Sequence, residues 1–357
     1  MNTRAVGRFC ELVGLEHPVV QGPFGGGASS VALAAAVSEA GGLGSFGAHQ
    51  LRPDALTRLV EDLRAATSRP FAVNLWVPQP GEGATGATAA DVERLHPYYA
   101  ELGLPDPSAE LHRPDFDEQV DALLEAAPPV ISLVMGLPPE RLVAGARRRG
   151  ILLVGTATTV AEAEALERAG VDVVVASGSD AGGHRGAFLA PVRESLVGTF
   201  SLVPQVVDAV RVPVVAAGGI ADGRGLAAAL VLGADAVQIG TGFLACAESA
   251  ASEVHRRALL SPEARTTVLT RLFSGRTARG IVNRFVREMA VHEETVPPYP
   301  VQNALMLPLR AEAAARGRSD LVNLWSGQAA GLAVGGAAAD YLSGVLADAG
   351  RLLGRPL

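Results

Sequence analysis

Of the seven histidines in this chain, His184 stands in the setting best suited to chemistry, at the end of the run ASGSDAGGHRGAF (176–188). An imidazole titrates near neutrality and can take a proton from an acidic carbon held against it. Gly182 and Gly183 allow the backbone to pass close to a planar ring while the imidazole points at a substrate. Asp180 is positioned in sequence to orient or charge the histidine, and Arg185 reads equally as a surface pairing residue or a second site residue. The alternative reading of His184 is a satisfied structural histidine. His17, His49, His96 and His112 lie near turns, and His255 and His292 lie in the last third of the chain. No HxH, HExxH or Cys/His spacing occurs, so no metal site is expected.

A second constellation follows. AAGGIADG places Gly218 and Gly219 after one apolar run, and QIGTGF places Gln238, Ile239, Gly240 and Thr241 at the end of the next. Backbone N–H groups at such glycines can approach an anion unhindered, and the threonine adds a hydroxyl ahead of a helix start. The plainer reading is that these glycines only make tight turns. Neither loop carries a lysine or arginine. An anion held by backbone donors and a helix dipole fits the monophosphate of FMN. Asn74, within FAVNLW, offers an amide to a flavin ring edge or ribityl chain, or is a plain strand-end residue.

The elements that must position these residues are eight short apolar runs, at 17–22, 42–47, 71–76, 130–136, 151–157, 171–178, 212–219 and 234–241. Most lack polar alternation, as strands covered on both faces do. Helical stretches lie between most of them. Ser30 and Asp222 are candidate caps, Thr159 with Glu162 forms a capping-box pattern, and Pro138–Pro139 opens a helix. Gly41, Gly150, Gly170 and Gly233 close helices. This order predicts a (β/α)8 TIM barrel, an α/β fold, with an added, mainly helical C-terminal region. A doubly wound sheet would expect GxGxxG opening an early helix, and GPFGGGASS does not meet that spacing. His184 then follows strand six, and the glycine loops follow strands seven and eight, where such barrels place function and often phosphate. The expected division is a barrel over 1–257 with a long insertion at 77–129, and a helical cap over 258–357 packed on it.

Composition narrows the class. The 357 residues are 48% hydrophobic and 19% charged, with a formal charge of −7 and aromatics at 4%. An acidic chain without basic, aromatic-interleaved blocks argues against a nucleic-acid partner. No apolar run is long enough to span a membrane, and the first residues lack a secretory core, so a cytoplasmic protein is expected. Cys10 and Cys246 show no pairing pattern and are expected to be reduced. Monomer and homodimer are both left open.

Taken together, VVQGPFGGGASS, FAVNLW, SGSDAGGHRGAF, VPVVAAGGIADGRGLAAALVLGADAVQIGTGFL and FSGRTARGIVNRF resemble the nitronate monooxygenase family, formerly called 2-nitropropane dioxygenases, over about residues 18–285. The resemblance implies FMN as cofactor and His184 as the catalytic residue. It implies cofactor contacts at Gly22, Pro23, Phe24, Asn74, Ser177, Gly182 and Gly183, and again at Gly218, Gly219, Gln238, Ile239, Gly240 and Thr241. Phe24 stands where many members carry methionine, Ser177 where a glutamine is frequent, and Asp180 where glutamate is usual. The implied reaction joins a nitronate, or a nitroalkane deprotonated by His184, with O2 to give a carbonyl compound and nitrite. The alternatives are an FMN-dependent, NAD(P)H-using reductase of the same superfamily (enoyl-acyl-carrier-protein or quinone reductase) and a non-enzymatic FMN- or phosphate-ligand-binding barrel. An IMP-dehydrogenase-like barrel is disfavoured because no cysteine falls in an active-face loop.

Overall fold

The computed structural model describes residues 7–80, 82, 86–108 and 114–357. His112 and part of the glycine-rich PQPGEGATG stretch lie outside them. Eight strands form where the apolar runs predict them: β1 (Val19–Gln21), β2 (Gly44–Gly47), β3 (Phe71–Trp76), β4 (Val130–Val134), β5 (Leu152–Ala157), β6 (Val173–Ser177), then, after a two-residue strand β7 (Gly183–His184), β8 (Val214–Ala217) and β9 (Ala236–Ile239). They pair in parallel in the order β1-β9-β8-β6-β5-β4-β3-β2. A parallel bridge between Val20 and Leu43 joins the two ends, so the sheet closes on itself. The inward side chains, among them Val20, Ala72, Val130, Val154, Val175 and Val215, form the barrel interior, and Phe9 and Cys10 of the helix Arg8–Val13 pack into the same cluster.

The local signals act as the sequence suggests. The Ser30 hydroxyl accepts from Leu33 N at 2.9 Å, and Asp222 accepts from Arg224 N and Gly225 N. Gly150 and Gly170 end their helices with φ of 67° and 93°, which side-chain-bearing residues rarely adopt.

Three features depart from the simple repeat. The insertion contains two helices of different allegiance. Phe116–Ala126 packs with Pro53–Ala66 on the barrel, whereas Ala89–Glu101 puts Leu95, Tyr98 and Tyr99 into a second core with Phe285, Leu305 and Met306 of the C-terminal region. That C-terminal region is not purely helical: β10 (Thr267–Thr270) and β11 (Ala278–Ile281) pair antiparallel, and β11 also pairs with β7. The stretch SGRTARG supplies three of the four residues of β11. Its residues gain strand partners from β10 on one side and, at Ala278 and Arg279, from the His184 segment on the other. Finally, the helix Ala338–Leu353 returns to the barrel between the helices Gly223–Val231 and Val31–Glu39. Tyr341, Leu342 and Val345 join the barrel core, and the Tyr341 hydroxyl donates to Ala221 O at 2.6 Å. The short helix after β9, Thr241–Leu244, spans a single turn. The last long helix of the chain therefore covers the eighth barrel station.

Candidate active site

At the C-terminal rim, Gly218 and Gly219 adopt φ of 105° and 71°. A Cβ on Gly218 would lie 2.8 Å from Ala181 N, and one on Gly219 would lie 3.2 Å from Asp180 Cβ. The loop after β8 is thus pressed against the loop carrying Asp180, and only glycine permits both the conformation and the approach. Gly22 is similarly close to the loop after β9, since its Cβ would stand 3.3 Å from Gly240 Cα. At Gly240 itself the nearest group is the Phe24 ring at 3.9 Å, and at Gly183, with φ of 71°, a Cβ would meet nothing within 4 Å. Phe24 is fixed by its backbone, whose N donates to Ser29 Oγ at 3.1 Å while Ser29 Oγ donates to Phe24 O at 2.8 Å. Pro23 is half-buried beside it, and Ile239 is fully buried. The single-turn helix after Gly240 is too short to build an appreciable macrodipole, contrary to the sequence expectation. What this loop offers an anion is local N–H groups and the Thr241 hydroxyl.

Asn74 is buried within β3, two residues before its end, and its Nδ2 donates to Ser132 O at 3.1 Å and Ser132 Oγ at 3.0 Å on β4. Gln238 points into the barrel, where it shares a small interior void with Ser45 and Ser132. Gly182 has a role the sequence did not suggest: a Cβ there would be 2.4 Å from Gly327 N. Gly327 N in turn donates to Thr241 Oγ1 at 2.9 Å, and Gln328 N donates to Asp180 O at 2.9 Å. The C-terminal segment 326–328 is therefore clamped between the β6 and β9 loops, next to the groups proposed for phosphate.

His184 sits on β7, opposite Ala278 of β11. Its Nε2 is 2.8 Å from Ser274 Oγ. The serine has one hydroxyl proton. Donating it to Arg276 O at 3.0 Å leaves Ser274 Oγ free to accept from both His184 Nε2 and Arg276 N, the latter at 3.3 Å. This bookkeeping, which satisfies all three contacts, assigns the proton to Nε2 and the lone pair to Nδ1. The imidazole ring lies edge-on to Trp76 at 4.9 Å and to Trp325 at 5.3 Å between centroids, and Trp76 stacks flat on His49 at 3.7 Å. Burial among these rings, with a smaller push from the Arg310 guanidinium, lowers the His184 pKa to about 3. The imidazole is accordingly neutral at pH 7.

Asp180 and Arg185 do not act on the histidine. Asp180 Oδ2 accepts from Thr199 N at 2.7 Å and Thr199 Oγ1 at 2.9 Å, tying the loop to the helix Thr199–Ala209. Arg185 is neither on the surface nor at the reacting centre. It is 2% exposed and donates to Gly178 O at 2.6 Å, Ser177 O at 3.1 Å and Ser195 O at 3.4 Å. Burial, then the nearby Arg279, push its pKa down to about 10, which leaves it charged. On the far side of the loop, the fully buried Glu162 accepts from Thr158 N at 2.7 Å and, through its other oxygen, from Phe188 N at 2.6 Å and Leu189 N at 3.1 Å. The flexible-looking run is in fact pinned by buried charges bonded to its backbone, which holds His184 in place.

Sequence reasoning missed Trp76, Met135, Ser274, Arg276, Tyr299 and Trp325. Both tryptophans of the chain flank His184, a convergence that their rarity hinted at. Met135, just past β4, has φ of 73°, an uncommon conformation for a non-glycine residue and one that clusters at functional sites. Among the described residues no group of three or more His, Cys, Asp or Glu could hold a metal ion, and no helix is long and apolar enough to cross a membrane.

Glycine-lined loops after the last two barrel strands, an open approach at Gly183 and Gly240, and a neutral imidazole packed edge-on against two indole rings fit a phosphate-bearing planar cofactor. Fold and site define a (β/α)8 barrel with a ligand pocket at its C-terminal rim. The nitronate monooxygenase family model matches residues 7–344, and the chain belongs to that family, a family of flavin-dependent enzymes. A probable nitronate monooxygenase of Staphylococcus aureus (strain Newman) is 40% identical over 345 residues, covering 95% of this chain and 96% of that protein. The crystal structure of a nitroalkane oxidase from Streptomyces ansochromogenes superposes with a TM-score of 0.90 at 40% identity, covering 97% of this chain and 99% of that one. FabK from Thermotoga maritima superposes with a TM-score of 0.77 at 31% identity, covering 99% and 98%.

Proposed function

We propose that the chain is an FMN-dependent nitronate monooxygenase, converting alkyl nitronates of the propionate 3-nitronate and 2-nitropropane type with O2 into a carbonyl compound and nitrite. The observation that carries the reading is the neutral His184 held between Trp76 and Trp325 at the barrel mouth, in a chain of this family. FMN, when bound, accepts electrons from the substrate and passes them to O2. Gly218, Gly219, Gly240 and Thr241 would hold its phosphate. Asn74, with the loop residues Gly22, Pro23, Phe24, Ser177, Gly182, Gly183, Gln238 and Ile239, would line the rest.

For a neutral nitroalkane, His184 Nδ1 takes the proton from the carbon bearing the nitro group. The proton and the nitronate charge appear together. The imidazolium, costly alone in this half-buried place against two indoles, is stabilised by the anion it has just made. Ser274 holds the other ring nitrogen, so the base is presented in one orientation. A preformed nitronate needs no such step.

Absorbance of the purified protein tests for bound flavin, and anaerobic mixing tests the reaction. Bleaching by a nitronate and not by NAD(P)H is the expected outcome. Rapid bleaching by NAD(P)H alone would instead establish the reductase reading, which the likeness to FabK keeps as the second possibility. A colourless protein that FMN does not reconstitute would sink the cofactor assignment.

A further inference from the structure

The two loops that would hold a phosphate leave neighbouring strands, yet the sheet does not join them. β8 and β9 pair from Val215 opposite Ala236 to Ala217 opposite Gln238. Beyond that point, among the described residues, no backbone hydrogen bond runs between 218–222 and 240–244. An anion shared by both loops needs their N–H groups at one separation, and something other than strand pairing must set it.

Tyr341 stands between the loops. It lies in the first turn of the helix Ala338–Leu353 and is 6% exposed. Its hydroxyl donates to Ala221 O, in the loop after β8, at 2.6 Å. Its ring meets that of Phe243, in the turn after β9, edge-on at 5.0 Å between centroids. Gly242 lies directly against the phenol, and a Cβ there would overlap the Tyr341 hydroxyl and Cζ. One side chain therefore touches both loops, the first by a hydrogen bond and the second by a close approach that only glycine permits. Burial, then the nearby Cys246 and Asp222, push the phenol pKa well above its ordinary value, so the hydroxyl remains a donor at neutral pH.

The helix that carries Tyr341 is itself anchored. At its start, Ala338 N donates to the two oxygens of Glu248 at 3.1 and 3.0 Å, and Ala247 N donates to Gly336 O at 2.9 Å. Ala247 and Glu248 continue the chain from the β9 loop. Toward its other end the helix presses on Gly223, whose Cβ would lie 2.5 Å from Ala349 N. Gly223 opens the helix that follows the β8 loop. The phenol is thus mounted on a helix fixed to the continuation of each loop.

We propose that Tyr341 is a positioning residue for the cofactor: it is the crossbar that sets the separation of the Gly218–Gly219 and Gly240–Thr241 loops, and so fixes in advance the N–H groups that receive the FMN phosphate. This rests on the FMN reading above. Donors already in place bind without the cost of ordering them. Without the hydroxyl, the buried Ala221 loses the donor to its carbonyl, and the β8 loop loses its tie to the β9 loop. A flavin that carries no phosphate does not draw these loops together and does not sense the change.

The test is flavin affinity, read by fluorescence titration of the full-length, flavin-stripped protein with FMN and with riboflavin. Tyr341→Phe keeps the ring against Gly242 and Phe243 and removes only the hydroxyl. It is expected to raise Kd for FMN about 3- to 10-fold, as loss of one hydrogen bond does, and Kd for riboflavin less than about twofold. Tyr341→Leu removes the ring as well and should raise the FMN value further, with riboflavin again little changed. An unchanged FMN affinity in Tyr341→Phe would overturn the proposal. So would equal losses for both flavins, which is what a general loosening of the barrel produces. If Tyr341→Leu does not fold, Tyr341→Phe decides by itself. A wild-type protein that binds neither flavin would overturn the FMN reading and the crossbar together, whereas tight FMN binding by wild type with no discrimination in Tyr341→Phe overturns the crossbar alone.

Discussion

The low pKa of His184 makes a sharp prediction about acidity. A histidine at its ordinary pKa of about 6.5 retains only ~3% of its neutral form at pH 5, so a reaction needing the free base would lose about 30-fold between pH 8 and pH 5. Burial against Trp76 and Trp325, with the Arg310 charge adding to it, brings the His184 pKa to about 3, and at pH 5 such a group is still ~99% neutral. Even if it were one unit higher, ~90% would remain in the basic form. The kcat/KM for a neutral nitroalkane reports the free enzyme, so it should change less than about twofold across this range. The assay is nitrite release under initial-rate conditions at constant ionic strength, with flavin absorbance recorded at each pH to show that the cofactor stays bound. His184→Asn supplies the background rate. Arg310→Met removes the smaller of the two causes, so it should raise the pKa and move the acid limb upward, yet leave it well below pH 6. A wild-type profile that falls with a midpoint between pH 6 and 7 would refute the reasoning, because it would mean that His184 is solvated like a surface histidine or is not the base.

Three further outcomes follow from the same geometry. His184→Asn should slow oxidation of a neutral nitroalkane much more than that of its preformed nitronate; equal losses for both with FMN fully bound would remove His184 from the proton-transfer role. His255, buried with its Nε2 2.9 Å from Trp325 O, has its pKa lowered to about 4 by burial. Because the unfolded chain binds a proton below about pH 6.5 that the folded histidine refuses until about 4, stability falls as pH drops through that window, by ~2 kcal/mol between pH 7 and pH 5. Urea melts at the two pH values should show His255→Asn losing about that much less than wild type; parallel losses would contradict it. Gly182→Ala places a Cβ 2.4 Å from Gly327 N, so it should cost about 2–3 kcal/mol and loosen residues 326–328 from the Thr241 loop. Denaturant midpoints and FMN retention on gel filtration would measure this, and an unchanged midpoint would show that the clamp is not tight.

The sequence by itself determined the barrel and its rim. Eight apolar runs without polar alternation, helices capped by Ser30, Thr159 and Asp222, and glycines with φ that other residues avoid are all signals within one or two turns of chain. That is why strand positions, the placing of Gly218, Gly219 and Gly240, and the location of His184 on the active face were legible without coordinates. What surrounds the histidine was not. Its strand exists only because β11 lies beside it, and its hydrogen-bond partner Ser274 is 90 residues away. Arg185 reads as a surface charge or a site residue until Gly178, Ser177 and Ser195 turn their carbonyls to it, and Asp180 reads as the partner of a neighbouring imidazole until Thr199 claims it. The pKa of His184 and the filling of the eighth barrel station by the last helix both come from contacts between distant segments. Local pattern decides which residues can be strand, cap or turn; burial and the identity of a charge's partner depend on what the rest of the chain brings alongside, and only the tertiary structure decides that.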